Sequence, residues 1–379
     1  MATPLLLVLT ALRWVGAARM PRALAQAGFE VTLLTPKGSL AEKSGYVAKI
    51  AYVPEKATPE AWVHAFAATA KASGARLVVP SDDNAFRLVQ MLAKTPPAGL
   101  QPALHQELAT LIAESLGDPA HYAASVDPTL LPAAAAALGV GVPAHDFIGD
   151  LAGAESFGAA HGYPIVLKSR RSSEGLTVAK RSDLAGALAA LLRGAMTEQN
   201  GARDALLVQA HVRGHAQFYQ AAAWKGELLA GFGGEKVRDP AGGRANPAVN
   251  RYYRSDPIRE IAATLARGFG ISGFFSLEGV VAEGGGQFHL LEINRRLLGG
   301  AHRGSAIGVD HCAALHAALE GLPQSGRTDL DPGEEHVSVS FPQEWLRDPE
   351  STWLRDHPVD VPWDEPELFE AMLELQPSR

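Results

Sequence analysis

The stretch Phe274-Phe-Ser-Leu-Glu-Gly-Val-Val-Ala-Glu-Gly-Gly-Gly-Gln-Phe-His-Leu-Leu-Glu-Ile-Asn294 decides how this chain is read. Two apolar, β-prone runs flank Gly284-Gly285-Gly286, the pattern of a tight hairpin. With Gly285 at the centre, Glu283 pairs with Gln287 and Glu278 pairs with Glu292. Opposed side chains in an antiparallel pair share a face, with Cβ atoms about 5 Å apart. Asn294 lies two residues beyond Glu292 and points the same way. Two carboxylates that close repel unless a proton or a cation lies between them. With the Asn294 amide oxygen they form an all-oxygen donor set, which suits Mg²⁺ or Mn²⁺. The plainer alternative is a strand with glutamates on its wet face. Ser276, Glu278, Glu292 and Asn294 form one polar stripe, opposite Leu277, Leu291 and Ile293, and Arg295 and Arg296 follow at once. A cation beside arginine fits a polyphosphate and favours the metal reading.

Outward from the hairpin, the chain alternates strands and helices. Residues 5–10 read as a buried parallel strand, followed by a helix over 17–27 that ends at Gly28. Further strands are expected at 29–35, 50–53 and 76–80, with a helix from Thr58-Pro59 to Lys71. This predicts an open parallel α/β domain. No G-x-G-x-x-G follows its first strand, so a dinucleotide fingerprint is missing. Ser81-Asp-Asp-Asn84 is expected to cap the next helix. Lys94-Thr-Pro-Pro-Ala-Gly99 marks a boundary, and 102–141 is alanine-rich and helical. Strands follow at 162–168, 176–179, 206–212 and 217–224, with a helix from Ser182-Asp183 to about 194. Residues 231–247 read as a long glycine-rich loop, 257–269 as a helix, 299–308 as a polar glycine loop and 309–320 as a helix. Past 326 the sequence suggests one strand at 337–341 and irregular segments, with no readable function.

Composition bounds the function. With 47% hydrophobic and 20% charged residues among 379, the chain is ordinary globular material for two or three domains. A net charge of −7 with no basic run argues against nucleic acid as partner. Cys312 is the only cysteine, so an internal disulfide and a thiolate zinc site are excluded. Arg13 ends the apolar run that starts at Leu5 far short of a membrane span, and no basic segment precedes it as in a secretion signal. The expectation is a cytoplasmic protein with no membrane partner.

Lys168 sits at a strand tip before Ser169-Arg-Arg-Ser-Ser-Glu-Gly175. Small residues let a backbone approach phosphate oxygens, and cations neutralise them. In this order and spacing, Tyr163-Pro-Ile-Val-Leu-Lys168, the loop to Gly175, Val208-Gln-Ala-His-Val-Arg-Gly214, Leu277-Glu278 and Leu291-Glu-Ile-Asn-Arg-Arg296 resemble the ATP-grasp superfamily of carboxylate–amine ligases. The resemblance covers roughly 105–320. It implies an N-terminal α/β domain at 1–100, a first ATP-grasp lobe with a helical linker at 101–208, a second lobe with the hairpin at 209–325, and an extension at 326–379. It also implies ATP and Mg²⁺ (or Mn²⁺) as cofactors, with small-molecule carboxylate and amine substrates; a homodimer is common in that superfamily.

On this chain the resemblance assigns Lys168, Ser172, Ser173 and Gly175 to the phosphates, and Gln209, Ala210, His211 and Val212 to an adenine-facing hinge with His215 beside it. Glu278, Glu292 and Asn294 would hold the metal, with Arg296 and Lys168 as catalytic cations. Arg244, Arg251, His302 and Arg303 are candidates for substrate carboxylate or phosphate, and Lys236 and Arg238 join them in the glycine-rich loop. Two features depart from the superfamily. A second first-lobe lysine, expected near Asp127-Pro128, is missing, and the hinge offers Ala210, His211 and His215 where an acidic residue often binds ribose. The implied reaction forms an acyl phosphate from a carboxylate and ATP, then an amide. A nucleotide-binding protein without ligase activity and a kinase-like phosphotransferase remain as alternatives.

Overall fold

The computed structural model describes residues 2–54, 56–97, 99–170, 175–196 (193–196 as backbone alone), 206–239, 247–284 and 286–375. The chain divides into two compact units, one of residues 1–120, 218–276 and 294–379, the other of 121–217 and 277–293.

The first unit begins with a parallel sheet of β1 (Thr3–Val8), β2 (Phe29–Pro36), β3 (Lys49–Val53) and β4 (Leu77–Pro80), in the order β3-β2-β1-β4. Leu5, Leu6, Leu7 and Val8 are all fully buried, as a strand covered on both faces requires. Thr58 caps the helix Pro59–Ser73 by accepting from the Ala61 N–H, and Gly74 ends it in the left-handed conformation. Asp82 caps the helix Asp83–Lys94 through Ala85, as expected, and its carboxylate also accepts from Thr10 N and Oγ1, at 2.7 and 2.6 Å. That bond set ties together the C-terminal ends of β1 and β4.

In the second unit, β5 (His145–Ile148), β6 (Ile165–Ser169), β7 (Leu176–Val178) and β8 (Leu206–Ala210) form an antiparallel sheet in the order β5-β8-β6-β7. One face is core: Ile148, Ile165, Leu167, Val178, Leu206 and Val208 pack with Ala154, Phe157, Leu184 and Leu188 from the helices Leu151–His161 and Leu184–Met196.

A third sheet holds β9 (Gly214–Trp224), β10 (Glu227–Arg238), β11 (Val249–Tyr253), β12 (Gly273–Ala282), β13 (Phe288–Asn294) and β14 (Glu335–Val339), in the order β13-β12-β9-β10-β11-β14. Lys225 and Gly226, both at positive φ, turn β9 into β10.

Several expectations are corrected. Residues 231–238 belong to strand β10, not to a loop. The glycines there answer close packing: a Cβ on Gly231 would lie 2.5 Å from the Tyr219 ring, and one on Gly234 2.0 Å from Arg251 O. The glycine loop at 299–308 contains the short helix Ala301–Ala306. The segment after residue 341 carries the helices Gln343–Arg347, Thr352–Asp356 and Pro366–Leu373; Leu368 and Met372 of the last are fully buried beside Ala18, Leu40 and Phe341. Strand β8 stops at Ala210, two residues short of the expected end, and β9 starts at Gly214.

The β12–β13 turn also differs. Gly286 adopts φ 65°, Ala282 N donates to Gln287 O at 2.9 Å, and Gly286 N donates to Ala282 O. Gln287 therefore lies opposite Ala282 rather than Glu283. Two residues, Gly286 and Gln287, face Ala282 at this point, the geometry of a glycine bulge.

Candidate functional site

The other face of the second unit's antiparallel sheet, also buried, carries Lys168 and Gln209. Side chains alternate along a strand, so with 165, 167, 206 and 208 in the core, Val166, Lys168, Leu207 and Gln209 occupy the other face. Val166 pairs with Gln209 and Lys168 with Leu207 across β6 and β8. Lys168 is only 9% exposed, and its ammonium donates to the β13 carbonyl of Leu291 at 3.3 Å. Burial pulls its pKa below the usual lysine value, and the neighbouring Glu292 carboxylate opposes that shift. Strand β13 is further held by Leu290 N donating to Gly141 O at 2.8 Å. Gly175 closes the other side: a Cβ there would lie 2.4 Å from Val166 Cγ1 and 3.4 Å from Lys168 Cγ and Cε. Only glycine lets the chain pass so close to the lysine stem. Gln209 is 1% exposed, and its Nε2 has no hydrogen-bond partner among the described residues. A buried donor left open this way is costly unless something completes it.

Glu278 on β12 and Glu292 on β13 are both half-buried. Carried unbroken from the turn, the pairing of 282 with 287 would put the two glutamates on opposite faces. The burial of β13 is not an unbroken alternation, because Leu291 and Glu292 are both half-buried, followed by buried Ile293 and Asn294. An extra residue in β13 at that point would set 278 opposite 292.

The other expected residues are placed as follows. Ala210 ends β8 and its N–H bonds Ala144 O; His211 and His215 are exposed and Val212 is half-buried. Ser172, Ser173 and Arg244 lie outside the described residues. Near the position of the missing lysine, Asp127 accepts from Arg170 Nε at 2.8 Å, so a cation reaches that position from the lysine loop. Among the described residues no group of three or more His, Cys, Asp or Glu converges.

In the first unit, Asn294 ends β13 at 8% exposure, and its Oδ1 accepts from Arg296 Nη2 at 3.3 Å. Arg296 also bonds Asp83 through Nε at 2.6 Å, and its guanidinium lies 5.3 Å from the Trp14 ring centre. Arg251 pairs with Glu235 at 3.3 Å, on the neighbouring strand. Arg238 contacts buried Glu344 at 3.3 Å. The expectation that His302 and Arg303 meet a substrate in an open loop is corrected, because both are buried and committed to Asp360. Arg303 donates to Asp360 through Nε and Nη2, to Tyr252 Oη through Nη1 and to Ser340 Oγ. His302 bonds the same carboxylate at 2.9 Å, while burial holds its pKa down at about 4. The pairing of Asp83 with Arg296 and the parts played by Trp14 and Asp360 were missed in sequence; Arg296 and Asp83 are 213 residues apart and leave no local pattern.

No protein-family model matches this sequence, and no curated protein sequence matches it. Solved structures do match. Biotin carboxylase from Campylobacter jejuni, in complex with an ATP analogue, aligns over 89% of this chain and 75% of its own, at 16% identity and TM-score 0.65. The biotin carboxylase domain of 2-oxoglutarate carboxylase from Hydrogenobacter thermophilus, with MgADP and bicarbonate, aligns over 89% and 74%, at 14% identity and TM-score 0.65. N5-carboxyaminoimidazole synthase from Aspergillus clavatus, with ADP and its aminoimidazole ribonucleotide, aligns over 89% and 81%, at 17% identity and TM-score 0.62. The chain has the ATP-grasp fold, with a parallel N-terminal sheet followed by antiparallel sheets.

Proposed function

We propose that this chain is an ATP-dependent ligase that activates a substrate carboxylate as an acyl phosphate and joins it to an amine. The observation that carries the reading is Lys168: a buried ammonium on the β6–β8 sheet, beside the unsatisfied Gln209 amide and bonded to the strand that bears Glu292. Lys168 would meet phosphate oxygens with its remaining donors, and Gly175 leaves space for the loop backbone to approach them. Gln209 would complete its open amide donor on the nucleotide base, with residues 210–212 beside it. Glu278, Glu292 and Asn294 supply only oxygen donors, the set that fits Mg²⁺ or Mn²⁺, and a divalent ion there would offset charge on the transferred phosphoryl group. The bulge in β13 that brings the two glutamates together is part of this proposal. Arg296 would steady the transferred phosphate.

No protein nucleophile is needed, because orientation and charge carry phosphoryl transfer. The related folds crystallised with ADP, an ATP analogue or bicarbonate support a nucleotide and a small carboxylate as ligands here. Among the described residues no helix is long and apolar enough to cross a membrane. A cytoplasmic homodimer is part of the same reading.

The test is to mix the protein with MgATP and a panel of amino acids, small carboxylates and bicarbonate, scoring phosphate release and identifying products by mass spectrometry. An amide or carbamate product with ADP supports the reading. A phosphorylated product points to a phosphotransferase, and nucleotide binding without turnover on any substrate points to a binding protein.

A further inference from the structure

We propose that Asp83 is a positioning residue for Arg296, and that it acts on the reaction only through the orientation of that guanidinium. The inference rests on the role given to Arg296 above and adds what holds it in place.

All of the geometry lies within the first unit. Asp83 Oδ1 accepts from Arg296 Nε at 2.6 Å, and Asn294 Oδ1 accepts from Arg296 Nη2 at 3.3 Å. The Trp14 ring centre lies 5.3 Å from the guanidinium carbon. Two bonds and an aromatic face fix the direction and the plane of a group that is otherwise the tip of a flexible side chain. Nη1 is left without a partner among the described residues, and it is the nitrogen that would meet the transferred group.

Asp83 is itself carried on a rigid mount. It is the first residue of the helix Asp83–Lys94, and the neighbouring Asp82 is locked to Thr10 N, Thr10 Oγ1 and Ala11 N. On the other side of Arg296, Leu297 N donates to Pro80 O at 3.2 Å. The arginine is therefore held, through its side chain and through the next residue's backbone, by the end of β4. The pair has little to give the fold, because the Asp83 side chain is 52% exposed and an ion pair in contact with water contributes little stability. What the contact supplies is placement, on which transfer between oriented groups depends steeply.

The experiment measures MgATP-dependent phosphate release by the full chain, with the substrate panel above, in a double-mutant cycle of Asp83→Ala and Arg296→Met. Asp83→Ala is expected to lower kcat on the order of a hundredfold, with the KM for MgATP within about twofold of wild type and the urea midpoint unchanged. Asp83→Asn, which keeps an acceptor for Nε, is expected to recover part of the loss. In the Arg296→Met background, Asp83→Ala is expected to have no further effect. If it lowers kcat there by the same factor, Asp83 acts on the substrate directly and the proposal is overturned. It is overturned too if Asp83→Ala turns over as wild type does, or loses stability in step with activity. If Arg296→Met keeps wild-type turnover, or the wild type releases no phosphate with any substrate, the role of Arg296 fails and takes this inference with it. Should Asp83→Ala not fold, Asp83→Asn carries the same cycle.

Discussion

Two buried cations in this molecule are treated in opposite ways. Arg303 in the first unit has all three nitrogens bonded to Asp360, Tyr252 and Ser340, and its carboxylate partner is held in turn by His302 and by the Phe341 N–H. Among the described residues, Lys168 in the second unit makes one hydrogen bond, to Leu291 O, and shares its sheet face with a Gln209 amide whose donor finds no partner there. A polar network closed on itself holds a fold together. One with donors left over is prepared for something that arrives later. By that criterion Arg303, a substrate candidate in sequence, is structural, and Lys168 is the group proposed to meet the nucleotide.

The strongest way to break this contrast is Glu292→Gln. If Lys168 and Glu292 form a reception site, metal-dependent ATP turnover should fall by at least about 10³-fold, about 4 kcal/mol of transition-state stabilisation, with an unchanged circular dichroism spectrum. Wild-type-like turnover would refute the site.

The converse substitution, Asp360→Asn, should act on stability. Leaving Arg303 buried without its carboxylate should cost about 3 kcal/mol in urea denaturation. It also changes the acid limb. Burial alone would raise the Asp360 pKa, but Arg303 and His302 hold it well below the carboxylate range. The unfolded chain, with a carboxyl pKa of about 3.9, therefore binds more protons in acid. The contribution is complete above about pH 4 and is lost as pH falls further. Wild-type stability should fall more steeply below that pH than that of Asp360→Asn; parallel curves would show that the carboxylate is not held by these cations.

Gln209→Leu sharpens the comparison at smaller scale. It removes a buried donor with no partner among the described residues, so apo stability should change by less than about 1 kcal/mol, while nucleotide affinity measured by calorimetry falls about tenfold. A large stability loss with unchanged affinity would make Gln209 a structural residue. Smallest of all, Gly175→Ala should cost about 1 kcal/mol through the clash with Val166, and Val166→Ala in the same chain should recover it. No recovery in the double variant would show that the loop does not approach that strand.

What the sequence made legible follows from the range of each interaction. The apolar run at Leu5–Val8, the Thr58 and Asp82 caps and the lysine at the end of β6 are written within a few residues, and all were read correctly. Strand β10 was taken for a loop because Gly231, Gly233 and Gly234 look like loop residues until the Tyr219 ring and the Arg251 backbone are seen against them. Arg303 looked available because Asp360 lies 57 residues on, with no periodicity linking the two. The turn of the hairpin was recognised but its pairing was off by one, since a glycine run permits several bulged closures.

The earliest basic side chains of the first unit depend on some of the latest acidic ones. Arg22 bonds Asp364, which follows it by 342 residues, and Ser44 bonds Glu365 at 2.5 Å. At translation speeds this separation is on the order of half a minute. Through that interval the nascent N-terminal sheet is outside the ribosome while Arg22 and Ser44 still wait for their carboxylates, so these two tethers are fastened late, onto a sheet whose strands have already been made.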